Sequence, residues 1–168
     1  MPVFHFFRQF PCLPPAATIA GMPATFDNLG IRFQYPDNWQ LDEEEMRAGQ
    51  GAVTVFSPGG AFWSVALHAK SADPARMAQA ALDAMRKEYE GLEAEPVKET
   101  IAGHELIGFD LSFFYLDLTS TAGIRSLRVA GTTYTIFFQA EDREYGEIGL
   151  VFDAMTLSLL RGIDEKKS

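Results

Sequence analysis

Residues 103–160 read GHELIGFDLSFFYLDLTSTAGIRSLRVAGTTYTIFFQAEDREYGEIGLVFDAMTLSLL, and this stretch decides the fold. Ile107, Phe109, Leu111, Phe113 and Tyr115 fall on one face of an extended chain, because side chains alternate along a strand. Leu106, Gly108, Asp110, Ser112, Phe114 and Leu116 fall on the other. At about 14 residues the run is far longer than a usual strand, and Gly108 inside it predicts a bulge or bend. Residues 119–123, TSTAG, predict the turn, residues 124–130 the returning strand, and Gly131-Thr132 a second reversal into residues 134–140. Asp142 then opens a helix whose apolar stripe is Tyr145, Ile148, Val151, Phe152, Met155 and Leu159. Glu144 and Glu147 lie in its first turns, where negative charge suits the helix dipole.

Working outward, Asp73-Pro74 predicts an earlier helix with an N-cap and a proline at its first position. Met77, Ala78, Ala81, Leu82, Met85 and Tyr89 form its stripe, and Gly91 stops it. Before it, residues 25–39 predict two short strands around the turn residues Asp27-Asn28-Leu29-Gly30. Residues 52–56 and 62–70 predict a hairpin around Ser57-Pro58-Gly59-Gly60. Residues 97–101 predict a further strand. Short turns between neighbouring strands mean an antiparallel sheet, which two amphipathic helices can cover, so the class is α+β.

The 168 residues fit one domain, expected over residues 22–161, with residues 162–168 as a frayed tail. The formal net charge of −9 disfavours binding to a phosphate backbone, so no nucleic acid is expected as partner. Cys12 is the only cysteine, which excludes an intramolecular disulfide and a cysteine-based zinc site and points to a reducing compartment, here the cytoplasm. The acidic run 42–45 reads as a solvated edge or loop and not as a metal cluster, since consecutive carboxylates on a strand point to alternate faces and do not converge on one ion. Residues 1–21 are apolar but interrupted by Arg8, Pro11, Pro14 and Pro15. They read as a disordered arm or a start-site artefact before Met22, with export through an irregular signal as the alternative. No run is long enough for a membrane span.

Ile31-Arg32-Phe33-Gln34-Tyr35-Pro36-Asp37-Asn38-Trp39 resembles the opening of the Mog/PsbP-like superfamily, whose members commonly start F-x-Y-P-x-x-W. Phe33, Tyr35, Pro36 and Trp39 carry the match. The resemblance runs on through the mid-chain helix, the GHELIGFD start of the long hairpin and the closing helix, over about residues 25–161. That superfamily holds a Ran-GTPase-binding protein, the P subunit of the photosystem oxygen-evolving complex and many small bacterial proteins. It implies an α/β/α sandwich around an antiparallel sheet of about six strands, with one mid-chain and one C-terminal helix. It implies adaptors and binding modules rather than an activity, and no cofactor.

The candidate sites are correspondingly few. A hairpin turning near Ser120 would set Ser112 opposite Arg128 and make Asp110 the diagonal neighbour of Arg128, which predicts a structural ion pair. Asp117 and Arg125 make a second expected pair near the hairpin tip. His68 could join Ser57 or Ser64 and Asp73 in a nucleophilic triad, but no G-x-S-x-G elbow is present. No phosphate loop, H-E-x-x-H or calcium loop occurs, so no catalytic, cofactor or metal residues are assigned. The leading reading is a non-catalytic module that engages a protein partner, or an apolar ligand, through a sheet face or the long hairpin. Trp39, Trp63, Tyr115 and Tyr134 are its candidate contacts. The alternative is a small hydrolase or isomerase with Asp110 or His68 in an apolar pocket, and a third reading is a homodimer built on a sheet edge or the hairpin.

Overall fold

The computed structural model describes residues 22–42, 51–68 and 72–167. The N-terminal arm and most of the acidic run therefore lie outside the described residues. Strands β1 (Ala24–Asn28) and β2 (Ile31–Tyr35) form a separate antiparallel hairpin. Strands β3 (Gln40–Leu41), β4 (Ala52–Phe56), β5 (Phe62–His68), β6 (Glu93–Ile101), β7 (His104–Tyr115), β8 (Leu118–Val129) and β9 (Thr132–Glu141) form one seven-stranded sheet in the order β3-β4-β5-β9-β8-β7-β6. Every pairing is antiparallel. Helix α1 (Pro74–Glu88) covers one face and α2 (Asp142–Lys167) the other. The α+β sandwich is as expected, with seven strands in the main sheet rather than about six.

Alternation along the strands sends Leu111, Phe113, Ala122, Ile124 and Phe137 to α1, against Ala78, Leu82, Met85 and Tyr89. The opposite face sends Trp63, Ile136 and Phe138 to α2, against Phe152, Met155 and Leu159. The Trp63 indole donates to Thr156 Oγ1 at 3.2 Å, so its one polar atom is satisfied. The sheet ends at β3 on one side and β6 on the other, and on β6 Pro96 and its charged neighbours blunt the edge against strand addition.

Three expectations are corrected. The long hairpin turns at Leu116-Asp117, not at residues 119–123, so Ser112 faces Thr121 and Gly108 faces Arg125. Because this register moves Arg128 to the α1 side of the sheet, it bonds Thr133 and the Ala72 carbonyl instead of Asp110. Gly108 marks no bulge, since the register is unbroken through it. A Cβ there would lie 1.8 Å from the Ile124 carbonyl oxygen, so the glycine serves close backbone approach.

The third correction is the tail, which is helical through Lys167. The β1–β2 hairpin gives that last stretch a wall: Ile163 is buried, and a Cβ on Gly162 would lie 2.2 Å from the Arg32 carbonyl oxygen. His104 Nε2 meets Asp164 at 2.8 Å and Lys166 Nζ donates to Asp27 at 2.9 Å, tying the helix end to the sheet and to β1.

Candidate functional site

Two places carry the features a site needs, one a cleft and the other a protrusion. The cleft, about 190 Å³, opens where α2 leaves the sheet over β6, β7 and β8. Arg125 is its centre. Its side chain is 8% exposed, with Nε donating to Glu99 at 2.6 Å and Nη2 to Asp110 at 2.7 Å. Nη1 donates to the carbonyls of Phe109 and Ile124, at 3.1 and 3.0 Å, and the guanidinium stands 5.7 Å from the Phe138 ring centre. Gly123 opposite Phe138 makes room for that ring, since a Cβ there would lie 2.1 Å from its tip.

Burial opposes the Arg125 charge, but hydrogen bonds to Glu99 and Asp110 outweigh it and hold its pKa above the ordinary value. Helix α2 adds Tyr145, Asp153 and Thr156 to the wall. Burial, and then the negative charge of Glu99, push the Asp153 carboxyl up. Burial followed by the charge of Asp153 does the same to the Tyr145 hydroxyl. With Arg125 fully engaged, the cleft carries three carboxylates against one cation. Among the described residues no cluster of histidine, cysteine or carboxylate side chains could hold a metal ion.

The protrusion is the tip of the β7–β8 hairpin. Phe114, Leu116 and Leu118 are 71%, 76% and 47% exposed, and Tyr115 is partly exposed with its ring edge-on to Tyr89. The last buried cross-strand pair is Phe113–Ser120, and the ribbon runs on about 10 Å past it at the usual rise per strand residue, with Tyr115 still against Tyr89 of the body. Phe114 stands on the α2 side of the ribbon, Tyr115 and Leu118 on the α1 side, and Leu116 at the apex. The apolar surface therefore wraps around the tip instead of forming one face.

The expected site residues divide accordingly. Asp110 is in the cleft and paired, but with Arg125; the same pairing removes Arg125 from Asp117. Trp39, Trp63 and Tyr134 are buried in the α2-side core and present no contact surface, while Tyr115 is at the tip. His68 lies on the α1 side, bonded to Thr135 Oγ1 at 2.9 Å, and burial lowers its pKa. Ser57 bonds Glu144 and Ser64 bonds the Phe137 carbonyl, so neither joins His68 and Asp73. Sequence reasoning missed Glu99, Tyr145 and Asp153, which only tertiary packing brings together. It also missed Phe114, Leu116 and Leu118. Their signal was present: the run from Phe113 to Leu116 is apolar at every position and so breaks the alternation of a half-buried strand.

No family model matches the chain and no curated protein matches it. Among solved structures it is similar to the cyanobacterial PsbP of Synechocystis sp. PCC 6803, with a TM-score of 0.57 at 13% identity over 86% of this chain and 96% of that one. It is similar also to the Ran-binding protein Mog1p of Saccharomyces cerevisiae, with a TM-score of 0.53 at 12% identity over 86% of this chain and 94% of that one. A protein of unknown function from Pseudomonas aeruginosa, PA94, gives 0.53 at 14% identity over 83% of this chain and 96% of that one. The chain thus has the Mog/PsbP-like fold that the resemblance implied.

Proposed function

We propose that this chain is a non-catalytic binding module that engages a protein partner through the tip of its long hairpin. The observation that carries this reading is the exposed apolar wrap of Phe114, Tyr115, Leu116 and Leu118 on a projecting two-residue turn. Its area is on the order of a few hundred Å², the size at which an exposed apolar patch signals an interaction site. One of the similar structures is a Ran-binding protein, which agrees with a binding role for the fold without naming a partner here. The experiment is affinity capture from the native host with the wild-type chain and with a Phe114→Ser/Leu116→Ser variant. Loss of a specific partner by a variant with unchanged melting supports the reading. Equal capture by both chains counts against it.

A second reading has one observation in its favour: Asp110 shares a cleft with other titratable groups, Glu99, Asp153 and Tyr145. A small hydrolase or isomerase there would draw its acid from Asp153, whose carboxyl is held up, because Asp110 is committed to Arg125. His68 has no part in it, being on the other side of the sheet. Turnover of ester or keto–enol test substrates abolished by Asp153→Asn would favour this reading over the first.

A further inference from the structure

The described residues contain four two-residue hairpin turns with positive φ at both central positions, the geometry of the type I′ turn. Three of them place glycine second: Leu29-Gly30, Ala102-Gly103 and Ala130-Gly131. The fourth, Leu116-Asp117 with φ of 49° and 62°, does not. A side chain in the left-handed region costs backbone energy that glycine avoids. Aspartate tolerates that region better than most side chains but less freely than glycine, so the turn at the tip gives up some stability at Asp117, and Leu116 beside it is largely exposed instead of packed into the fold.

What this arrangement presents is an exposed carboxylate at the apex of a ribbon whose neighbouring exposed side chains are apolar. Asp117 sits between Leu116 and Leu118, with Phe114 and Tyr115 on the two sides of the ribbon. A flat apolar surface would cover only one side of such a ribbon. A lipid bilayer would surround it, but would have to receive the charged apex first. A second copy would bring two Asp117 carboxylates together, with Glu93 opposite Ser112 and Glu141 opposite Ser120 adding like charge lower on the ribbon.

We infer that the tip is a plug for an apolar socket in a protein partner, and that a lysine or arginine in that socket binds the Asp117 carboxylate. This rests on the proposed role of the tip as the contact surface and adds the chemistry that would recognise it. In that setting the carboxylate makes a charge-assisted hydrogen bond sheltered from water, while the four apolar side chains supply the buried area. Asp117 then explains both its departure from the other turns and its exposure.

The test uses the full chain with p-benzoylphenylalanine in place of Phe114, irradiated in the native host. The protein it captures is then purified and titrated against the wild type, Leu116→Ser, Asp117→Asn and Asp117→Gly. Leu116→Ser is expected to weaken binding. Asp117→Asn, close in shape and tolerant of the turn, is expected to weaken it about tenfold and to flatten its salt dependence. Asp117→Gly is expected to bind as weakly as Asp117→Asn and to melt higher than wild type. Failure to capture a protein, or cross-linking to lipid alone, overturns the role of the tip itself. If Leu116→Ser weakens binding but Asp117→Asn matches wild type at every salt concentration, the tip contact stands and the cationic socket is wrong. A lower melting temperature for Asp117→Gly refutes the argument from turn strain.

Discussion

Replacing Arg125 with methionine removes the one cation that ties β6, β7 and β8 together across the cleft. Methionine keeps much of the apolar stem that packs on Phe138 while deleting every donor, so the change isolates the polar contacts. Breaking a fully buried pair costs about 3–5 kcal/mol, because the abandoned partner stays buried and uncompensated. Here the partners are not fully buried: Glu99 and Asp110 side chains are 39% and 55% exposed, so water recovers part of the loss. The carbonyls of Phe109 and Ile124 also lose a donor. A cost of about 2–3 kcal/mol follows, or a fall in Tm of roughly 5–10 °C for a domain of this size. Thermal melts followed by circular dichroism read it directly. Asp110→Asn, which loses only the more exposed of the two pairs, should cost about 0.5 kcal/mol. A methionine variant that melts within about 2 °C of wild type would refute the view that the cluster holds this side of the sheet. So would an Asp110→Asn variant as unstable as the methionine variant.

Gly108→Ala should be among the most damaging small substitutions, near the upper end of overpacking at about 3 kcal/mol, because its Cβ would meet backbone 1.8 Å away and not a movable side chain; chemical denaturation that finds it neutral would show that β7 and β8 can part without cost. Folding raises the pKa of Asp153, so between its unfolded and folded values the native state keeps a proton that the unfolded chain has released, and stability falls as pH rises through that window. Asp153→Asn should therefore raise the melting temperature at neutral pH, with the gain vanishing as the pH drops through the carboxylate range; a gain of the same size at all pH values would contradict this origin. His68 has the opposite linkage: its pKa is lowered, so acidification through the ordinary histidine range should cost stability that His68→Gln does not lose.

The element order and class were legible because each helix has an apolar stripe of period 3.6 and each strand an alternation of period two. The register of the long hairpin was not. Residues 119–123 carry the serine, threonine and glycine expected of a turn, whereas the real turn is Leu116-Asp117, without glycine, asparagine or proline. Gly123 is in mid-strand for another reason, the Phe138 ring that lies over it. One misplaced turn moved Arg128 to the wrong side of the sheet and concealed Arg125 as the partner of Asp110. The end of α2 was misread because Asp164, Glu165 and Lys166 look like a solvated tail until β7, β2 and β1 supply their partners, His104, Arg32 and Asp27. The cleft could not be foreseen, since Glu99, Asp110 and Asp153 come from β6, β7 and α2. The tip was visible in principle, as an apolar run too continuous for a strand with one covered face.

The central claim is that the working surface is the hairpin tip and not the Arg125 cleft. Amide hydrogen exchange on the free chain and on its complex with the captured partner separates the two. Slowed exchange confined to residues 114–119, with Glu99, Ile101 and Tyr145 unchanged, is the predicted result. Protection centred on Glu99, Ile101 and Tyr145, with residues 114–119 exchanging as fast as in the free chain, would contradict it.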